Sequence, residues 1–171
     1  MLSPVEPRSG IGYDAHAFVE GRPLLLGGVR VPHSHGLAGH SDADALLHAI
    51  GDALLGAAGA GDIGKHFPPD DQRFKDADSR NLLAQIATLI NKCGWRVGNV
   101  DATVIAEGPR IGAYTERMCE VIATCLGVNR SMVNVKATTN ETMGFVGRGE
   151  GIAALAIVTV FPISAFTTSE G

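Results

Sequence analysis

The sequence predicts an α/β (α+β) protein, a two-layer sandwich in which helices cover one face of a mainly β-sheet. Apolar patterns of helical period alternate along the chain with patterns of strand period, the order expected when the two kinds of element pack in layers. The chain has 171 residues, of which 45% are hydrophobic and 19% charged, a composition typical of a globular domain. We therefore expect a single domain over 1–171, with its core at about 9–161 and loose ends at 1–8 and 162–171.

The first part of the chain predicts a strand followed by a β-ribbon. Residues 9–17 alternate loosely between polar and apolar side chains, as a half-buried strand does. PLLLGGVRVP at 23–32 places two apolar runs around a Gly-Gly pair, a pattern typical of a tight bend between two strands. We expect residues 34–40 to form a loop.

The clearest helix is predicted at 41–61. Ser41 can serve as its N-cap, with Asp44 three residues on as in a capping box, and Gly59 and Gly61 should end it. The helix has one apolar face, which should pack against the core. That face consists of Leu46, Leu47, Ile50 and Leu54.

The rest of the chain alternates helices and strands after an irregular stretch. The regular elements are predicted as helices at 78–92 and 113–126 and strands at 95–107, 132–139 and 152–161. Residues 62–78 lack periodicity, and an irregular stretch of that length inside a compact domain is usually functional or mobile. The segment at 144–151 should form a glycine-rich bend. The strand at 152–161 is apolar at nearly every position, so we expect both of its faces to be buried.

Charge and composition argue against several classes of partner. The net charge is −4 and no basic patch is present, which disfavours nucleic acid. No apolar run approaches the ~20 residues of a membrane span, and the N-terminus lacks the apolar segment of a secretory signal. The three cysteines, Cys93, Cys119 and Cys125, lack paired spacing. We expect them to be free thiols that fill the core, in a reducing compartment.

Asp14 and His16 raise the first question of chemistry. Alternate side chains of a strand share a face, so this carboxylate and this imidazole should point the same way. Such a pair can hold a metal ion, form a salt bridge or simply face solvent. The spacing alone does not choose among these three.

His48 lies on the polar side of the first predicted helix, with Asp44 one turn before it and Asp52 one turn after. One interpretation is a solvated polar face. The other makes His48 a metal ligand, with Asp44 or Asp52 accepting a hydrogen bond from its second ring nitrogen. With Asp14 and His16 the set becomes His-His-Asp, and three protein ligands with an open fourth position are typical of a catalytic zinc ion.

Two further segments suit phosphate. His40 and Ser41 precede the first predicted helix, and a helix N-terminus attracts anions. KATTNE at 136–141 offers a cation, two hydroxyls and Glu141, whose carboxylate suits Mg²⁺, although a polar turn is the alternative. The glycines of 144–151 lack the order of a dinucleotide fingerprint, and no nucleophile motif is present.

Five motifs together resemble the 2-C-methyl-D-erythritol 2,4-cyclodiphosphate synthase family, over about residues 9 to 161 and in the same order. They are DAH at 14–16, HSDADALLHAIGDALLGA at 40–57, DIGKHFP at 62–68, KATTNE at 136–141 and GFVGRGEGI at 144–152. The resemblance implies a metal-dependent lyase of non-mevalonate isoprenoid biosynthesis. It also implies a homotrimer whose active sites lie between neighbouring subunits.

By motif position, the resemblance also implies roles for single residues. Asp14, His16 and His48 would hold Zn²⁺, and Glu141 would hold Mg²⁺ or Mn²⁺. The catalytic residues His40 and Thr139 would steady the transferring phosphoryl group. The cytidine diphosphate site, contributed by the adjacent subunit, would be Ala106, Pro109, Arg110, Ile111, Thr138 and Thr139. Asp14, His16, His40 and Glu141 would also contact the substrate. The other substrate-binding positions would be Ser41, Asp62, Ile63, Gly64, Phe67, Phe145 and Arg148, with Asp62 and Gly64 on the methylerythritol part.

The implied reaction is intramolecular. The 2-phosphate of 4-diphosphocytidyl-2-C-methyl-D-erythritol 2-phosphate attacks the β-phosphorus, CMP leaves and a cyclic diphosphate forms. Residues 62–78 would then be a substrate flap. This sequence departs from the family at Pro69, where an acidic residue is common, and at Arg110, where lysine is common.

Two other functions are compatible with the same ligand set. One is a zinc-dependent phosphohydrolase that uses bound water as its nucleophile. The other is a non-catalytic, metal-stabilised trimer that binds an isoprenoid diphosphate near its axis. A bacterial cytoplasm is the simplest location, and the plastid, after removal of a transit peptide, is the alternative.

Overall fold

The computed structural model describes residues 6–163, which form one five-stranded sheet, a separate two-stranded ribbon and a layer of helices. The strands are β1 (Arg8–Val19), β2 (Leu24–Leu26), β3 (Val29–Val31), β4 (Gly36–Leu37), β5 (Trp95–Ile105), β6 (Val133–Thr138) and β7 (Gly151–Pro162). The helices are α1 (Ala45–Ala58), α2 (Ile63–His66), α3 (Ser79–Lys92), α4 (Thr115–Leu126) and α5 (Gly144–Gly147). Short 3₁₀ turns lie at 72–74, 112–114 and 130–132.

The sheet has the strand order β4-β1-β7-β5-β6, and only the β5–β6 pair is parallel. Helices α1, α3 and α4 pack over one face of it and form the hydrophobic core there. This confirms the predicted mixed α/β fold, in which helices pack on a β-sheet. Asp14 pairs with Ala154 and His16 with Ile152, so both functional candidates on β1 lie near the start of β7.

Helix α1 lies directly on the backbone of β1, at two glycines. A Cβ atom on Gly12 would lie 1.9 Å from the carbonyl oxygen of Ala49, and one on Gly10 would lie 2.0 Å from that of Ala53. Both distances are far inside van der Waals contact, so no side chain fits at either position. These glycines share the face of β1 that carries Asp14, because the three positions are two residues apart along the strand.

The first helix begins at Ala45, and its N-cap is Asp44 rather than the predicted Ser41. The Asp44 side chain is fully buried and accepts hydrogen bonds from three backbone N–H groups, those of Leu47, Gly27 and Gly28. The predicted capping box is therefore wrong. The same carboxylate joins the helix start to the β2–β3 turn, where both glycines have positive φ.

Strand β7 is buried along the whole of one face but only at its start on the other, which corrects the expectation of two buried faces. Its helix-facing residues are Ile152, Ala154, Ala156, Val158 and Val160. On the opposite face Ile157 is 49% exposed, and on neighbouring β1 Ile11 and Tyr13 are 67% and 55% exposed. Within residues 6–163 the helices cover a single side of the sheet, and the other side presents exposed apolar side chains.

The segment at 62–78 is less irregular than predicted, because it contains α2 and the 3₁₀ turn at 72–74. Asp62 and Asp71 cap these two short elements with their side chains. The sheet also reaches one residue beyond the predicted core at each end, to Arg8 and to Pro162. Residues 1–5 and 164–171 of the predicted loose ends lie outside the described residues.

The cysteines are free thiols, as predicted, but not all of them fill the core. Cys119 is buried and Cys125 is partly buried. Cys93 is exposed, because it stands at the C-cap of α3. No helix within 6–163 has the length and apolar character needed to span a membrane.

We expect Gly12→Ala to lower the free energy of unfolding by about 1–3 kcal/mol or more, because the new methyl group must displace the α1 backbone. Urea unfolding followed by circular dichroism measures this. Gly56→Ala is the matched control. Gly56 is exposed in α1 with open space around it, and the same change there should stabilise by about 0.5–1 kcal/mol. Equal effects of the two changes would contradict the close-contact interpretation.

Candidate active site

One carboxylate and two imidazoles meet where β1 faces the first turn of α1. The Oδ2 atom of Asp14 lies 2.8 Å from Nε2 of His16 and 3.1 Å from Nδ1 of His48. The two ring nitrogens lie 3.4 Å apart. Among the described residues, these three form the one group of possible ligands whose atoms lie close enough to share a metal ion.

The electrostatics of the cluster show how tightly the groups are coupled. Burial alone would raise the pKa of Asp14, but hydrogen bonds from His16 and His48 outweigh it and hold that pKa below its usual range. The hydrogen bond to Asp14 raises the pKa of His16, against the opposing effect of burial. Without a metal ion, Asp14 is thus the anion and His16 the favoured site for a proton.

Backbone and side-chain contacts fix both imidazoles. Nδ1 of His16 donates to the carbonyl oxygen of Ala38 at 2.7 Å, which leaves Nε2 to face the cluster. Nε2 of His48 lies 3.0 Å from the hydroxyl of Ser79 and 3.2 Å from that of Ser41. The donor set of one carboxylate and two imidazoles fits Zn²⁺.

The predicted outer partners of His48 are wrong. Asp44 is buried at the start of α1, and Asp52 accepts a hydrogen bond from the backbone N–H of Ile63 at 2.7 Å. The hydroxyl groups of Ser41 and Ser79 lie beside Nε2 of His48 instead. The sequence around Ser79 indicates only the start of a helix, because Asp78 before it is a typical N-cap. Ser79 lies 31 residues from His48 in the chain, on α3.

A cavity of about 180 Å³ opens beside the cluster. Its walls include five of the predicted substrate residues, His16, His40, Ser41, Ile63 and Phe67; the other lining residues are His48, Pro69, Phe74 and Leu82. Of the first turn of α1 only His48 lines this cavity, and Asp44 accepts there from the backbone N–H of Leu47.

Asp62 and Gly64 flank the cavity without lining it. Both are exposed, and the Asp62 carboxylate accepts from the backbone N–H of Lys65 at 2.9 Å, which caps α2. Their contact with a substrate therefore stays a prediction.

A second cavity, of about 410 Å³, lies where β5 and β6 end. All six residues predicted for the cytidine diphosphate site line it: Ala106, Pro109, Arg110, Ile111, Thr138 and Thr139. The Gly108–Pro109 peptide bond is cis. The Glu107 carboxylate accepts from the backbone N–H groups of Asn140 and Thr142, and so ties the loop after β6 to the loop after β5.

The predicted second metal ligand and the α5 residues lie away from the first cavity. The hydroxyl of Thr139 donates to Glu141 at 3.1 Å, and both side chains are exposed. Arg148 forms an exposed ion pair with Glu150 at 2.6 Å, and Phe145 is 38% exposed. In one chain, β7 and β5 lie between β1 and β6, so about 14 Å of sheet separates these two strands.

We expect zinc affinity to fall as the pH drops from about 8 to about 6, because a metal ion must displace the proton that His16 holds more firmly than usual. Asp14 stays ionised over this range and contributes no change, since its pKa is lowered. Isothermal titration calorimetry in buffers of different ionisation enthalpy counts the protons released. His33→Gln, at an exposed histidine, should leave the profile unchanged. A pH-independent affinity would contradict the prediction.

Comparisons with known proteins agree with this arrangement. The YgbB family matches residues 7–161. The 2-C-methyl-D-erythritol 2,4-cyclodiphosphate synthase of Geobacillus kaustophilus is 60% identical over 151 residues, 88% of this chain and 96% of that protein. The enzyme of the same name from Bordetella avium is 58% identical over 150 residues, 88% of this chain and 93% of that protein.

Solved structures share the fold over nearly the whole chain. The bifunctional IspDF of Campylobacter jejuni superposes with a TM-score of 0.89 at 43% identity, covering 93% of this chain and 44% of that longer one. The CDP complex of IspF from Plasmodium falciparum gives a TM-score of 0.79 at 34% identity, covering 91% and 96% of the two chains. The chain therefore belongs to the YgbB family, alongside enzymes named 2-C-methyl-D-erythritol 2,4-cyclodiphosphate synthase.

Proposed function

We propose that this protein is a cyclising phosphorus–oxygen lyase that converts 4-diphosphocytidyl-2-C-methyl-D-erythritol 2-phosphate to 2-C-methyl-D-erythritol 2,4-cyclodiphosphate and CMP. An oxygen of the 2-phosphate forms a bond to the β-phosphorus, the bond from that phosphorus to the CMP oxygen breaks, and CMP departs with the electron pair. The observation that carries the proposal is the convergence of Asp14, His16 and His48 beside a cavity that also contains His40. The identity of 60% to a named synthase supports the substrate assignment.

The metal ions of the proposal follow from the donor atoms. Asp14, His16 and His48 suit Zn²⁺, and the exposed carboxylate of Glu141 suits Mg²⁺ or Mn²⁺. When bound, such cations supply Lewis acidity and neutralise the charge that develops on phosphate oxygens. His40 and the Thr139 hydroxyl would hold the transferring phosphoryl group in line.

The remaining residues position the two ends of the substrate. We assign the cavity at the β5 and β6 ends to the cytidine diphosphate part, where Arg110 offers a cation and Thr138 and Thr139 offer hydroxyls. The methylerythritol part would contact 62–67, and Phe145 and Arg148 would complete the site. Because phosphoryl transfer depends mainly on alignment and charge stabilisation, a protein without its own nucleophile can catalyse it.

A homotrimer would unite the two cavities. Within one chain they lie at different strands of the sheet, whereas the resemblance implies active sites between neighbouring subunits. The uncovered face of β1 and β7, with Ile11, Tyr13 and Ile157, offers an apolar surface for that assembly. We place the enzyme in a bacterial cytoplasm, with a small-molecule substrate and neither nucleic acid nor membrane as partner.

A zinc-dependent phosphohydrolase is the rival for the same metal cluster. It would transfer phosphoryl groups to water and would release a linear product heavier by one water than the cyclic diphosphate. The cavity lined by Arg110, Thr138 and Thr139 favours the cyclase, because a simple phosphoester hydrolase has no need of a nucleotide-sized site across the sheet.

We expect the wild-type protein with metal to release CMP and the cyclic diphosphate, and Asp14→Ala to reduce turnover by at least about 100-fold, because one metal ligand is lost. Coupled assay of CMP together with mass spectrometry of the product measures both. Glu20→Ala removes an exposed carboxylate and serves as control. A linear, hydrated product would support the hydrolase, and full turnover by Asp14→Ala would contradict the proposal.

We expect Ile157→Lys to shift the protein from trimer to monomer, because a charge would be buried at the apolar face between subunits. Size-exclusion chromatography with light scattering measures the mass. Gln85→Lys adds the same charge at an exposed position of α3 and should leave the trimer intact. A monomeric wild-type protein would refute the proposed assembly.

A further inference from the structure

Whether His48 can bind a metal ion through Nδ1 depends on which of its two ring nitrogens carries the proton. Its Nδ1 atom faces Asp14 at 3.1 Å and His16 at 3.4 Å, so Nδ1 is the atom that can bind a metal ion. A neutral imidazole binds metal only through its unprotonated nitrogen. The other nitrogen, Nε2, must therefore carry the proton and must find an acceptor.

Two hydroxyl groups lie within reach of Nε2, and they differ in how their protons are used. Ser79 is 1% exposed, and its hydroxyl donates to the carboxylate of Asp42. A serine hydroxyl has one proton, so Ser79 can only accept from His48, across 3.0 Å. The Ser41 hydroxyl accepts from the backbone N–H of Ala43, and its own proton is free to point toward Nε2.

Two backbone hydrogen bonds hold Asp42 against the start of α3, where its carboxylate accepts from the Ser79 hydroxyl. Its second carboxylate oxygen accepts from the backbone N–H of Ser79 at 3.0 Å, and its own N–H donates to the carbonyl oxygen of Ala77. One carboxylate thus joins the loop before α1 to the start of α3. Neither Asp42 nor Ser79 lines the cavity, so neither can contact a substrate there.

We propose that Asp42, acting through Ser79, is a positioning residue for the metal site. By accepting a hydrogen bond from the Ser79 hydroxyl, it makes that oxygen an acceptor for Nε2–H of His48. This favours the tautomer with a lone pair on Nδ1 over the one in which Nδ1 donates to Asp14. His16 is fixed in the complementary way by the Ala38 carbonyl. The two rings then present lone pairs to one point beside Asp14.

The test uses Asp42→Asn in the full-length protein. The two oxygens of the carboxylate accept separately from the hydroxyl and from the backbone N–H of Ser79. An amide replaces one of these oxygens with an N–H₂ donor, so one of the two contacts is lost. We expect the dissociation constant for Zn²⁺, measured by competition with a chromogenic chelator, to rise about 10- to 100-fold. We also expect the ¹⁵N spectrum of His48 in the metal-free protein, at mildly alkaline pH, to show less of the Nε2–H tautomer and more of the Nδ1–H tautomer than the wild-type spectrum does.

Ser79→Ala provides a second variant with the same expected result, because only Ser41 would then face Nε2 and its hydroxyl can donate to it. Either variant suffices if the other fails to fold, as judged by circular dichroism. Asp78→Asn is the matched control: Asp78 caps α3 next to Ser79 but does not contact His48, so zinc affinity and the His48 spectrum should stay unchanged.

Unchanged zinc affinity or an unchanged His48 spectrum in a folded Asp42→Asn or Ser79→Ala protein overturns the proposal. The inference rests on the metal site of the proposed function, yet its readouts require no substrate. If the wild-type protein binds zinc with the expected tautomer but makes no cyclic diphosphate, the proposed function fails and the role of Asp42 stands. If the wild-type protein makes the cyclic diphosphate but the variants keep the wild-type zinc affinity and His48 spectrum, the proposed function stands and the role of Asp42 fails.

Discussion

Backbone contact between α1 and β1 is the constraint on which the metal cluster depends. Two residues of a strand rise about 6.6 Å and four residues of a helix about 6.0 Å, so equivalent contacts can repeat along an antiparallel pair. Gly10 meets Ala53 and Gly12 meets Ala49 in this way. The next step of the same series brings Asp14 of β1 to the first turn of α1. His48 can reach that carboxylate only because no side chain separates helix from strand at the two preceding steps.

Three aspartates near the start of α1 accept hydrogen bonds from different groups. Asp44, fully buried, takes three backbone N–H groups and fixes where α1 begins. Asp42 takes two donors from Ser79 and fixes α3 against the same loop. Asp14 alone keeps a carboxylate oxygen directed at two imidazoles. The metal site is thus the one place in this region where a carboxylate is not committed to backbone or hydroxyl donors.

Several of these features could be predicted from the sequence, and the failures have a common cause. The shared face of Asp14 and His16 follows from strand geometry alone, and the distribution of apolar residues places α1, α3 and α4. The helix start was misplaced because Ser41 and Asp44 are both good N-caps, and only the distant β2–β3 turn selects Asp44. Ser79 could not be found by spacing, since it lies on another helix. The two glycines of β1 were visible, but their role depends on which helix lies above them.

The hydroxyl groups near the cluster bear on the kind of chemistry it can support. Ser79 is 1% exposed and hydrogen-bonded to Asp42, so it cannot reach a phosphorus atom in the cavity. Ser41 is 9% exposed, and its oxygen accepts from the backbone N–H of Ala43. The Ser79 hydroxyl therefore serves the orientation of His48 rather than attack. When the substrate contains its own nucleophile, the protein needs only to align the reacting groups and stabilise their charge. The fixed ligands and the adjoining cavity of this site suit such a reaction.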